Sequence, residues 1–249
     1  MSRNLNPQDL AWWHQRYARQ AEWTRALRYH LYRQVGISRC GSILEIGCGT
    51  GVISNELAGR TDSTVFGLDS DLAALGFARE RTSKNKMPAW LAGEAGKLPF
   101  RDNSLDLIVT HYFWLWARRP EIVSAECRRV LKKGGALAAL AEPDYSARQD
   151  LPGCQPGIKE FLMNDLTKKG ANPNIGKKLE DIFAGAGFRA VVGAVNDKMT
   201  FKQNPELFLQ EWNLLHKLGY PREALESMEI MTVGRWMMMP VHWAIGRKM

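Results

Sequence analysis

The sequence predicts an α/β protein built on a doubly wound sheet with helices packed on both faces. Three observations carry this. Apolar runs of strand length alternate with helical patterns from residue 42 to 142, the signature of a mostly parallel sheet with crossover helices. The first run ends in three glycines, Gly47-x-Gly49-x-Gly51, and a helical pattern begins at once. Polar residues recur at the carboxyl ends of successive strands, namely Glu45, Asp69, Glu94 and His111. Ligands of such sheets bind outside those ends, near the point where strand order reverses.

The elements follow in order. Residues 8–36 predict one long helix, with Trp12, Trp13, Arg16, Tyr17, Gln20, Trp23, Leu27, Leu31 and Val35 recurring at three- and four-residue spacing. Residues 42–46 predict a buried strand and 52–59 a helix. A second strand, 65–69, ends on Asp69, and residues 72–82 continue as helix after Ser70-Asp71. A short third strand runs into Glu94-Ala95, a fourth ends at Thr110-His111, and a fifth ends near residue 142. Pro143, Pro152, Gly153, Pro156, Gly157 and Pro173 punctuate a looser stretch with helices predicted at 157–169 and 176–186. A sixth strand at 190–195 precedes helices at 204–218 and 221–236, each opened by a proline, and a last strand at 239–247. The expected organisation is a single domain: residues 1–40 a helical cap, 41–198 the α/β core, 199–236 a helical insertion and 237–249 the last strand.

Composition narrows the class. The chain has 249 residues, 45% hydrophobic and 24% charged, as in ordinary globular proteins. No apolar stretch reaches 18 residues, and the N-terminus lacks the apolar core of a signal peptide, so a cytoplasmic protein without a membrane span is expected. Cys40, Cys48, Cys127 and Cys154 form no metal-ligand spacing, so no metal is expected. The net charge of +8 is concentrated at the start: residues 1–40 carry seven arginines against two acids, a net +5. Such an arm can bind nucleic acid, but a solvated helix face, or an anionic small substrate, is the favoured explanation.

The glycine loop discriminates among cofactors. A dinucleotide fingerprint starting at Gly47 requires glycine at position 52, where Val52 stands. A phosphate-binding P-loop requires Gly-Lys-Ser/Thr, and no lysine is near. Glu45 would repel phosphates but suits a cofactor bearing an amine and a sulfonium.

The run Ile43-Leu44-Glu45-Ile46-Gly47-Cys48-Gly49-Thr50-Gly51 resembles the first motif of the class I S-adenosylmethionine-dependent methyltransferases. Later segments resemble the same family, within its ubiquinone- and sterol-methylase-like group. They are Val65–Asp69, Glu94-Ala95 (the family usually has aspartate where Glu94 stands), residues 100–108 and Arg128-Arg129-Val130-Leu131-Lys132-Lys133-Gly134-Gly135. The resemblance covers residues 43–142. It implies a Rossmann-like sheet of seven strands, the last antiparallel, with S-adenosyl-L-methionine as cofactor and S-adenosyl-L-homocysteine as product. Carried over, Glu45 and the backbone of Gly47, Cys48, Gly49 and Gly51 face the methionine portion. Asp69, with Ser70 beside it, holds the ribose, Glu94 and Ala95 bracket the adenine, and His111 lies near the sulfonium. N-terminal helices of the family commonly cover the cofactor, which makes Tyr17 or Trp23 a pocket residue.

The acceptor is less legible. His111 is the candidate general base, against the plainer reading of a backbone contact with an incidental imidazole; His14, His30, His216 and His242 have weaker claims. Trp13, Trp23, Tyr112, Asp144 and Tyr145 are candidates to face the acceptor. Tyr112, Phe113, Trp114 and Trp116 either line an apolar pocket or pack the next helix. The residues after the fourth strand, Thr110-His111-Tyr112-Phe113, lack the Asp/Asn-Pro-Pro-aromatic of amino-methylating DNA enzymes. Neither the fourth nor the fifth strand tip carries the cysteine of RNA cytosine-C5 enzymes, and no paired glutamates as in protein-arginine enzymes follow the fourth strand directly. The expectation is methyl transfer to a small apolar or aromatic acceptor. The alternatives are an RNA or nucleotide methyltransferase using the basic arm, or a non-catalytic module for an adenosine ligand.

Overall fold

A computed structural model describes residues 7–82, 86–151, 157–200, 202–221 and 236–249. Two helices open the described chain, α1 (Pro7–Trp23) and α2 (Arg25–Val35). The core then alternates: β1 (Ser42–Ile46), α3 (Val52–Arg60), β2 (Thr64–Asp69), α4 (Leu72–Arg81), β3 (Ala89–Ala92), β4 (Leu105–Thr110), α5 (Pro120–Val130) and β5 (Leu131–Pro143). Beyond it come β6 (Gln149–Leu151), α6 (Ile158–Lys168), α7 (Leu179–Gly185), β7 (Phe188–Val195), β8 (Lys198–Thr200), α8 (Pro205–Lys217), β9 (Trp236–Met238) and β10 (Val241–Lys248).

Seven strands form one sheet in the order β3-β2-β1-β4-β5-β10-β7. β1 pairs in parallel with β2 and β4, while β10 runs antiparallel to both its neighbours. The order reverses between β1 and β4, which places a crevice at their carboxyl ends. Both faces are buried, and the side-chain period of two divides them. Leu107 and Val109 of β4 join Ile43, Val65, Leu31 and Leu57 on the α2–α3 side, whereas Ile108 joins Leu44, Leu68, Leu137 and Phe183 on the other.

The fold departs from the sequence reading in four places. The single N-terminal helix is broken at Thr24, whose hydroxyl lies within hydrogen-bonding distance of both the Gln20 carbonyl and His111. The helix expected at 176–186 begins as a 3-10 turn, Ile175–Lys178, before α7. A second, three-stranded sheet, β6-β9-β8, was not anticipated. Its strand β9 includes Trp236, expected as the end of a helix, and the last strand begins at Val241, after Pro240, rather than at Met239. The helix expected at 221–236 falls on 222–235, outside the described residues.

Candidate functional site

A cavity of about 910 Å³ opens at the carboxyl ends of β1, β2, β3 and β4, roofed by α1. It lies at the upper end of the roughly 300–1,000 Å³ of small-molecule sites. Its floor is the glycine loop, in which the three glycines do different work. Gly47, at φ +73°, sits under Phe113, and a Cβ there would come within 2.5 Å of that ring. Gly51, at φ +81°, packs against Trp90 at a similar separation and does not line the cavity. Gly49 faces the cavity beneath Tyr17. The N–H groups of Gly47 and Cys48 donate to the Leu68 carbonyl at 2.8 and 3.1 Å, tying the loop to β2. His14 and Thr50 are in hydrogen-bond contact at 2.9 Å and tie α1 to the loop.

Acidic groups converge on this floor. Glu45 is 2% exposed and accepts a short hydrogen bond from the Ser54 hydroxyl. Burial raises its pKa to about 8, so the carboxyl is largely protonated at neutral pH until a cation arrives. Asp69 accepts from the Gly49 N–H at 2.7 Å through one oxygen and from the Asp71 N–H at 2.9 Å through the other. Burial raises its pKa as well. Each oxygen keeps a second lone pair for a ligand hydroxyl. Asp71 caps α4, accepting from the N–H groups of Ala73 and Ala74. Ser70, Glu94 and Ala95 border the same cavity, with Ser70 and Glu94 exposed.

His111 also lines the cavity, 2.8 Å from the Thr24 hydroxyl. Burial and the Arg28 charge hold its pKa well below the usual histidine value, so the imidazole is neutral. Arg28 is itself buried, donating to Thr24 and pairing with Glu56 at 2.6 Å. Tyr112 follows at φ +54°, an uncommon backbone for tyrosine, with its N–H on the Ala141 carbonyl.

Of the acceptor candidates, Trp13, Tyr112 and Tyr145 line the cavity together with Phe113 and Trp116. Trp23 and Asp144 do not. Trp23 packs against the Arg16 guanidinium, 5.4 Å from its ring. Asp144 is fully buried: it accepts from the Ser146 N–H and pairs with Lys177 at 2.8 Å, acting as a cap and ion-pair residue rather than a pocket wall. Trp114 is likewise core, its indole N–H donating to Thr110.

Two features escaped the sequence reading. Glu142, fully buried at the end of β5, accepts the N–H groups of Phe113, Trp114 and Leu115 and so fixes the loop after β4. Burial raises its pKa to about 7. Its signal was an acid directly after the apolar run of residues 136–141. Arg16 is buried and pairs with Glu211, which also pairs with Arg148. Its signal was a charge inside the aromatic stripe of the first helix. Four charges of the basic arm are paired within the fold, Arg16, Arg19, Arg25 and Arg28 with Glu211, Glu206, Glu22 and Glu56; Arg33 and Arg39 form no ion pair among the described residues, and Arg3 lies outside them.

No cluster of three or more His, Cys, Asp or Glu side chains among the described residues could hold a metal, and no described helix is long and apolar enough to cross a membrane.

Comparison with known proteins agrees with this geometry. The Methyltransferase domain family matches residues 44–139. Sterol 24-C-methyltransferase ERG6B of Gibberella zeae is 31% identical over 157 residues, 61% of this chain and 36% of its own. The ubiquinone/menaquinone biosynthesis C-methyltransferase UbiE of Ruegeria sp. is 35% identical over 104 residues, 39% and 41% of the two chains. The chain thus spans well under half the length of these relatives. Phosphoethanolamine N-methyltransferase 2 of Haemonchus contortus, solved with phosphomonomethylethanolamine and S-adenosylhomocysteine, shares the fold with a TM-score of 0.61 at 16% identity, covering 93% of this chain and 56% of that one. Residues 44–139, most of the α/β core that builds this cavity, carry the match to the Methyltransferase domain family.

Proposed function

We propose that the chain transfers a methyl group from S-adenosyl-L-methionine to a small apolar or aromatic acceptor by in-line displacement. The observation that carries the proposal is the single cavity at the sheet's switch point. One side presents Glu45, the open Gly49 backbone, Asp69 and Glu94, and the other presents Trp13, Tyr112, Phe113, Trp116 and Tyr145. The residues fit the cofactor. A buried carboxyl of raised pKa is matched to an ammonium and a sulfonium, and a backbone-anchored aspartate with free lone pairs is matched to ribose hydroxyls. When bound, the cofactor supplies an electrophilic methyl on a cationic sulfur.

The protein's part is orientation and exclusion of water, which supplies on the order of 7–11 kcal/mol when reacting groups are held in line. Gly47 and Gly49 let the loop approach the ligand. Tyr17 and Trp13 close the cavity from above, and His14 on Thr50 holds α1 in place. His111, whose protonation is disfavoured by burial and by Arg28, presents a neutral ring to the cavity and is a weak base, which suits an acceptor that arrives already deprotonated. The ion pairs of the N-terminal arginines favour this reading over RNA binding, because four of those charges are already satisfied within the fold.

The test is transfer of labelled methyl from S-adenosylmethionine to a panel of phenols, carboxylic acids and amines, run beside Asp69→Ala. Label in an acceptor that disappears with Asp69→Ala supports the proposal. Tight cofactor binding with no transfer across the panel favours the binding-module alternative.

A further inference from the structure

The geometry points to an acid-recognition subsite on the acceptor side of the cavity, in which Arg16, Tyr112 and Tyr145 take the carboxylate of the methyl acceptor. The inference rests on the methyl-transfer reading and names its substrate class.

Arg16 is 5% exposed yet lies on the cavity wall. Its Nη2 donates to Glu211 at 2.6 Å. Glu211 also accepts from Arg148 at 3.0 Å, and Arg148 is clamped by both oxygens of Asp150 at 2.8 and 2.9 Å. This ionic chain fixes the guanidinium from behind. The other arm, Nη1, is buried without a hydrogen-bond partner. Buried donors in native proteins are nearly always satisfied, so an orphan N–H on a cavity wall marks the place of a ligand oxygen.

Two more donors share that wall. Tyr112 and Tyr145 line the cavity, and neither hydroxyl has a hydrogen-bond partner among the described residues. Each phenol feels the Arg16 charge, and Tyr112 also feels Tyr145, which places the three groups in one neighbourhood. The nearby carboxylates are committed elsewhere: Glu211 to the arginines, Glu142 to backbone N–H groups. The subsite therefore holds one guanidinium arm and two phenols, with no free carboxylate. A carboxylate offers two charged oxygens that can accept from all three donors, whereas an alcohol offers one neutral oxygen. Arginine suits planar carboxylates in particular. Arg118 and Arg119, exposed on the rim of the same cavity, add positive potential along the approach.

The test titrates S-adenosylhomocysteine-saturated protein calorimetrically with matched pairs: benzoate and benzyl alcohol, 4-hydroxybenzoate and 4-hydroxybenzyl alcohol, octanoate and octanol. At least one acid should bind tenfold or more tightly than its alcohol. That preference should fall below threefold in Arg16→Lys, which keeps a cation for Glu211 but lacks the second arm, and in Tyr145→Phe. Affinity for S-adenosylhomocysteine should stay within twofold in both. No acid outbinding its alcohol, or a preference that survives both variants, would overturn the inference. The preceding titration with S-adenosylhomocysteine tests the methyl-transfer reading separately, and the same pairs can be titrated into the free protein if it fails.

Discussion

Glu45→Gln separates two consequences of one buried carboxyl. In the folded protein its pKa is raised by burial from 4.5 to about 8. The folded state therefore holds a proton that the unfolded chain has already lost between those values. This contribution is fully present below pH 4.5 and is lost as pH rises toward 8. At about 1.4 kcal/mol per unit, the loss amounts to at most roughly 5 kcal/mol. Glutamine can still accept from Ser54 but cannot ionise, so the variant should be relatively more stable above pH 8. The second consequence concerns the ligand. At pH 7 about nine-tenths of the carboxyls are protonated in the free protein, from the same pKa. A cationic ligand beside Glu45 favours the carboxylate and should release most of that proton. Titration with S-adenosylmethionine at pH 7, in phosphate and in Tris, reads the proton count from the buffer dependence of the enthalpy. The wild type should release close to one proton and Glu45→Gln close to none, with affinity weakened by about 1.5–3 kcal/mol, as for a lost charged hydrogen bond. Equal proton counts, or undiminished affinity in the variant, would refute the placement of Glu45 beside the cation.

Glu142→Ala strands the N–H groups of residues 113–115, and denaturant unfolding should show a loss of about 1–3 kcal/mol for each donor that water cannot reach. Gly47→Ala places a Cβ 2.5 Å from Phe113 at a φ of +73°; its cofactor affinity should drop at least tenfold in the same calorimetric assay. His111 should stay neutral, so its imidazole resonance should not titrate between pH 6 and 8. A midpoint near 6.5 would contradict its burial beneath α1 and beside Arg28.

Much of the core was legible because its signals are local. The apolar run of β1, the spacing of Gly47, Gly49 and Gly51, and the acid ending β2 each lie within a few residues, and strand–helix alternation with right-handed crossovers then fixes most of the topology. What was missed depends on distant partners. Arg16 meets Glu211 across 195 positions, so its burial could not be inferred from the helix that carries it. The break at Thr24 involves His111, 87 residues away, and not a proline or glycine in the helix. Strands β6, β8 and β9 are three residues each, too short for a period of two to declare itself. Gly51 was read with the cofactor loop because its spacing matched, but its role is set by Trp90, reached only through the pairing of β2 with β3.

The central claim is that the glycine loop and Asp69 hold S-adenosylmethionine. Its most direct test is calorimetric titration of that compound, with NAD as control, into the wild type and Asp69→Ala. The account predicts saturable one-to-one binding of S-adenosylmethionine, no binding of NAD, and a loss of about 1.5–3 kcal/mol per charged hydrogen bond in the variant. Binding of NAD in its place, or equal affinity with and without the Asp69 carboxylate, would contradict it.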